Sequence, residues 1–201
     1  MWDRPFYHQD TRALQDRYDG RRTADALERH RKHYAFWEDE RAMIEAARFF
    51  FIGSASGEYT DCNIKSGDPG FVKITGPGEL EYPEYDGNSM YRTAGNIAAN
   101  PNVGLLFVRF DGTSRRIRIN GRASLHDDPR TLARHFGAKF VVRVACEIYP
   151  NCPRYLPDFE HDRPSLHPPR PGAGTPPPPE WKGRDYIRDT LPADDPHRED
   201  P

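Results

Sequence analysis

From Phe49 to Pro150 the chain is cut into short apolar or alternating runs, each closed by a turn signal. "FFFIGSAS" meets Ser56-Gly57-Glu58, "YTDCNIK" meets "SGDPG", "FVKI" meets "GPG", and "ELEYP" meets Asp86-Gly87-Asn88. "NVGLLFVRF" meets "DGTS", and "RRIRINGRASL" meets the short helical run "DPRTLARHF" before "AKFVVRVACEIYP". About seven strands joined this tightly leave no room for the crossover helices that parallel pairing needs. The expected fold is mainly β, an antiparallel barrel or sandwich with short helices, not a βαβ array.

The two ends read differently. "TRALQDRYDGRRTADALERHRKHYAF" carries Leu14, Tyr18, Ala24 and Leu27 at near-helical spacing, with Gly20 as a break. "WEDERAMIEAARFF" opens on acidic residues and sets Ala42, Met43, Ala46 and Ala47 on one side of a second helix. His30 and His33 stand among Arg29, Arg31 and Lys32 and read as a solvated charged face rather than a metal site. After "NCPRYLPDF", proline, glycine and charge dominate, a composition that buries too little surface to fold alone. That tail is expected to be extended unless "EWKGRDYIRDTL" docks on another surface through Trp181, Tyr186 and Ile187. The expected organisation is a helical extension over 1–47, a β domain over 48–160, and a Pro-rich tail, extended or lid-like, over 161–201.

Charge and cysteine usage narrow the function. A net charge of -2 over 201 residues gives no cationic excess for neutralising nucleic-acid phosphates. No apolar run approaches the roughly 20 residues that span a bilayer, and "MWDRPFYHQD" lacks the form of a signal peptide. A soluble cytoplasmic protein is expected. Cys62, Cys146 and Cys152 form no CxxC pair and read as free thiols, with no zinc site. There is no GxGxxG after a strand, no Walker loop, no HExxH and no nucleophile elbow. The carboxylates lie mostly in turns and offer no acid–base pair.

What remains is a set of anion-binding groups. Lys65 ends a strand before Ser66-Gly67, and Asn88 and Ser89 stand at the start of a helix stopped by Asn100-Pro101, with Arg92 one turn on. Free N–H groups at a helix start, with Arg and Lys beside them, suit a phosphate. The same residues also suit an ordinary capped surface helix. In "RRIRINGR", Ile117 and Ile119 face one way and Arg116, Arg118, Asn120 and Arg122 the other. That arginine face lines an anionic pocket or pairs with acids across the sheet.

Four stretches in order carry a resemblance: "FFFIGSASGEYTDCNIKSGDPGFVKI", "YPEYDGNSMYRTAGNIAANPNVGLLFV", "RRIRINGRASL" and "YPNCPRY". Together they resemble the flavin-binding split-barrel proteins related to pyridoxamine 5'-phosphate oxidase, over Phe49 to Tyr155, with "NCPRY" pointing to a separate branch. The resemblance implies a six- or seven-stranded antiparallel split barrel that forms a homodimer with FMN at the interface. Carried onto this chain, it implies cofactor contacts from Thr60, Asp61, Cys62, Asn63, Lys65 and Ser66, from Tyr82 and Pro83, and from Asn88, Ser89 and Arg92. Counting back from "AANP" puts the family arginine on Arg92; counting forward from "YP" puts it on Asn88. Arg116 falls where the family has a glutamine that meets the isoalloxazine ring, and a cation there would favour the anionic reduced flavin.

The departures are equally specific. The Ser-Arg-Lys triplet of the family's pyridoxamine phosphate oxidases is not intact, and Trp181 and Arg184 do not reproduce their C-terminal Trp and Arg-x-His pair. The resemblance thus implies an FMN-dependent oxidoreductase moving a hydride between flavin and a small organic substrate, with the tail as a lid over the pocket. Its alternatives are a deazaflavin-dependent reductase and a non-enzymatic flavin- or haem-binding protein, with His126 and His135 as haem candidates.

Overall fold

The computed structural model describes residues 2–85, 89–111, 113, 115–150, 156, 177–178, 180–191, 193, 195 and 198. Asn88, the "NCPRY" run and most of the Pro-rich tail lie outside them. The chain divides into two compact units, one of positions 33–108 and 116–151, the other of 1–32, 109–115 and 152–201.

The first unit is built on strands β1 (Phe49–Ser56), β2 (Tyr59–Ser66), β3 (Lys73–Gly76), β4 (Glu79–Glu84), β5 (Asn102–Val108), β6 (Arg116–His126) and β7 (Phe140–Ile148). Among the described residues they form one seven-stranded sheet in the order β2-β1-β5-β6-β7-β4-β3, antiparallel at every pairing. The expectation of an antiparallel, mainly β split barrel holds. Gly57, at φ +56, supplies the left-handed backbone of the two-residue β1–β2 hairpin.

Period-two alternation sets the inner face. Phe50 and Ile52 of β1, Leu105 and Phe107 of β5, Ile117 and Ile119 of β6, and Val142 and Val144 of β7 are all buried in one core. Phe50 sits at its centre, with ring centroids 4.9 Å from Phe107 and 5.0 Å from Tyr82. At Gly121 a Cβ would stand 2.3 Å from Val144 Cγ1 and 2.9 Å from Val103 Cγ2. A side chain there would force apart the strands on either side of β6, so the run of inward residues needs glycine at that position.

The sheet curls until its ends approach each other. Lys65, near the end of β2, meets Glu84, at the end of β4, with Nζ 2.5 Å from Oε1. Helix α1 is Gln9–Arg17, α2 Arg21–Arg31, α3 Glu38–Glu45 and α4 Arg92–Ala99. Helix α4 packs on β1, β2 and β6. Its buried face is Thr93, Ala94, Asn96 and Ile97, with one large apolar residue. Polar bonds hold it instead: Asn96 Nδ2 donates to Ser54 Oγ (3.2 Å) and to the Tyr59 carbonyl (3.3 Å), and Asn100 Nδ2 donates to the Ala55 carbonyl (2.8 Å).

Two expectations are corrected here. Helix α4 does not begin at Asn88-Ser89: Ser89 has φ +58, Tyr91 is the N-cap at φ +47, and Arg92 is the first helical residue. Two left-handed residues turn the chain before any helix can start. His33 is not part of a solvated face. Its backbone bridges to Ile148, its Nε2 lies 2.8 Å from buried Glu40, and its ring stacks on Trp37 at 4.0 Å.

In the second unit, α1 and α2 are separated at Tyr18 to Gly20. The 3-10 turn Glu180–Gly183 and helix Asp185–Arg188 pack against α2. Ala26, Ile187 and Leu191 form a small core flanked by Leu27, Trp181 and Tyr186, and Tyr186 stacks on His30 at 4.4 Å. Thr23 donates to the Thr190 carbonyl, and buried Lys182 pairs with Asp195. Trp181, Tyr186 and Ile187 are thus the tail's docking residues.

Candidate functional site

Where β2, the end of β4 and the start of α4 meet, a cleft of about 520 Å³ opens. Register decides what β2 offers it. Phe50, Ile52 and Ser54 point into the barrel, so their partners Lys65, Asn63 and Asp61 share the side that α4 covers. Cys62 and Ile64 pair with Gly53 and Phe51 on the opposite face.

The wall between β2 and α4 is a polar network. Thr93 is buried; its hydroxyl donates to Asp61 Oδ2 at 2.6 Å and accepts from Asn63 Nδ2 at 3.0 Å. Arg92 Nη2 donates to the Thr60 carbonyl at 3.0 Å, and its Nε stands 3.6 Å from Asp61 Oδ1. Among the described residues no side chain caps α4, which leaves its first-turn N–H groups at the cleft beside Arg92, Thr93 and Ala94. Tyr85, Met90 and Tyr91 are exposed and line it, and Lys139 Nζ donates to the Tyr91 hydroxyl at 3.5 Å.

Of the residues expected from the sequence, Asp61, Asn63, Lys65, Ser66, Pro83, Ser89 and Arg92 line this one cleft, and Cys62 borders it although its register places it on the other face of β2. Thr60 joins it through its carbonyl. Tyr82 does not line it. Its ring is in the core, its hydroxyl is buried with no hydrogen-bond partner among the described residues, and burial, with Glu84 nearby, pushes the phenol well above its ordinary range. Arg116 lies on β6 opposite Val108, on the outward side of the sheet. Asn88 is outside the described residues.

Glu84, Tyr85, Tyr91 and Thr93 were not expected. A composition signal existed for Tyr85 and Tyr91, aromatics on either side of the turn. None existed for Glu84 or Thr93, whose roles depend on partners about twenty or more residues away.

Among the described residues the cleft holds two cations and two carboxylates: Lys65 with Glu84, Arg92 with Asp61. Its donors are the Arg92 guanidinium and the first-turn N–H groups of a helix that no described side chain caps, groups that suit an anion.

A second charged cluster lies on the other side of β4. Glu81 is fully buried; Arg134 grips it through two nitrogens (2.7 and 3.1 Å), and Arg143 donates at 2.6 Å. These arginines hold its carboxyl below the usual range although burial pushes the other way. His135, also buried, has Nε2 3.4 Å from Glu81, and burial lowers its basicity. Neither haem candidate lines the cleft: His135 faces Glu81, and His126 bonds to Ser124 at 2.8 Å. Among the described residues no helix is long and apolar enough to cross a membrane.

A family model described as Pyridoxamine 5'-phosphate oxidase matches residues 36–160. No curated protein gives a significant match. Several solved structures are similar in fold. A pyridoxamine 5'-phosphate oxidase-type protein from Lactobacillus delbrueckii is 19% identical, covers 59% of this chain and 98% of its own, and gives a TM-score of 0.48. HupZ of Group A Streptococcus is 14% identical over 57% of this chain and 93% of its own, with a TM-score of 0.44. An FMN-binding protein from Syntrophomonas wolfei is 12% identical over 69% and 95%, with a TM-score of 0.44.

Proposed function

The chain belongs to the pyridoxamine 5'-phosphate oxidase family, and on that premise we propose that it is an FMN-dependent oxidoreductase moving a hydride between the flavin and a small organic substrate. The observation that carries the reading is the cleft itself. One strand's inward polar face and a helix start that no described side chain caps converge with Arg92 between them. FMN, when bound, supplies the redox chemistry, which needs no acid–base pair from the protein.

The chain's own residues bind and orient. Arg92 and the first turn of α4 would hold the phosphate, with Ser66 and Ser89 as nearby hydroxyls. Asp61, Asn63 and Thr93, already locked to one another, would fix the wall against which the ribityl chain lies. Tyr85, Met90 and Tyr91 offer exposed apolar surface to a planar ring.

The homodimer belongs to the same proposal. Ile64, Phe51 and Leu106 stand side by side on the outward face of β2, β1 and β5, next to Arg118 of β6, and Ile64 is 51% exposed. A second copy on this row would cover it, and it is the means by which outward-facing Arg116 would meet a flavin. A cytoplasmic location is part of the same reading.

The test is the absorption spectrum of purified protein, with and without added FMN. Flavin bands near about 375 and 450 nm are expected, with one FMN per protomer after reconstitution. A colourless protein that takes up no FMN rejects the reading. Oxygen consumption with pyridoxamine phosphate is expected to stay at background.

A further inference from the structure

The two cations of the cleft are not equivalent. The Lys65 and Glu84 side chains are 12% and 16% exposed and pair at 2.5 Å. Arg92 is 58% exposed, and its Nε stands at 3.6 Å from an Asp61 carboxylate that Thr93 already engages. Glu84 is also fixed by its backbone: it pairs with Phe140 in the β4–β7 ladder, and its carbonyl accepts the Lys139 N–H at 2.8 Å. An anion arriving at Lys65 would have to displace Glu84 and leave that carboxylate unpaired in a largely dry place, which is costly. An anion arriving at Arg92 can leave its 3.0 Å bond to the Thr60 carbonyl in place and exchange only the long 3.6 Å contact with Asp61, a carboxylate that Thr93 still engages.

We propose that Glu84 selects the charge this cleft accepts, by withholding Lys65 from the ligand and leaving Arg92 as the cation for its phosphate. The inference deepens the flavin reading and rests on it for the name of the ligand. At the Lys65–Glu84 end the cleft is electrically neutral and suits an uncharged part of the bound molecule. Glu84 is then a specificity residue: without it the cleft would carry a second available cation and take anions less selectively.

The test compares FMN with riboflavin, which shares the ring and ribityl chain but lacks the phosphate. Binding to Glu84→Gln, Lys65→Met, Arg92→Gln and the Lys65→Met/Glu84→Gln double variant is followed by quenching of flavin fluorescence. Glu84→Gln should tighten FMN about fivefold or more and leave riboflavin within about twofold. Arg92→Gln should lower the preference for FMN over riboflavin about tenfold or more, and Lys65→Met alone by less than about twofold. The double variant should lose the gain of Glu84→Gln. The proposal is overturned if Lys65→Met costs as much FMN preference as Arg92→Gln, or if Glu84→Gln leaves that preference unchanged. Should the wild type bind neither flavin, the flavin reading alone fails. Thermal stabilisation by inorganic phosphate then decides on Glu84: a larger gain in Glu84→Gln than in the wild type supports its role, and an equal gain rejects it.

Discussion

At Thr93 one buried hydroxyl donates to Asp61 and accepts from Asn63, so Thr93→Val strands a carboxylate and an amide together. The expected loss is about 1–3 kcal/mol in urea unfolding, with most of it restored by Thr93→Ser. Glu81 and His135 make stability fall in acid, for the same reason of sign. His135 is held below its ordinary value of 6.5, so its contribution is present above 6.5 and is lost as pH falls through the lowered value. Glu81 is held below 4.5, so its contribution is present above 4.5 and is lost at still lower pH. Unfolding midpoints taken from pH 8 to 4 should decline below 6.5, and His135→Gln should flatten the upper part of that decline. Single residues were legible in the sequence where chemistry alone marks them: Lys65 at a strand end, Arg92 before a run of small residues. Glu81, Glu84 and Thr93 were not, because each is defined by a cross-strand or helix–strand partner. Local pattern contains no trace of such pairings.

Among elements, α4 shows what periodicity reads and what it misses. Its existence and its end at Asn100 were plain, since Asn-Pro cannot continue a helix. Its start was placed too early because Asn88 and Ser89 are good capping residues by type. The left-handed backbone at Ser89 and Tyr91, seen only in three dimensions, moves the first helical residue to Arg92. Asn96→Leu removes the bonds to Ser54 and the Tyr59 carbonyl and should cost about 1–2 kcal/mol. Hydrogen exchange should then quicken in α4 with little change in β6. Gly121→Ala tests the sheet: a methyl 2.3 Å from Val144 should destabilise by about 1–3 kcal/mol in chemical denaturation.

For the whole molecule, the antiparallel class followed from connections too short for anything else, and the seven-stranded order obeys it. The outward row of Ile64, Phe51 and Leu106 belongs at this scale, as the surface proposed to meet a second copy. Ile64→Glu should convert the proposed dimer to monomer in light scattering while the circular dichroism stays unchanged. The meeting of Lys65 and Glu84 has a mechanical meaning as well. It joins strands that are not neighbours in the ladder, so the barrel is stitched along one line by a charged clasp instead of a row of backbone bonds. Parting it breaks no ladder bond but separates two charges in a largely dry place, so its cost is electrostatic. Closure of the cleft and closure of the fold therefore draw on different forces, charge pairing for the one and backbone bonds with core packing for the other.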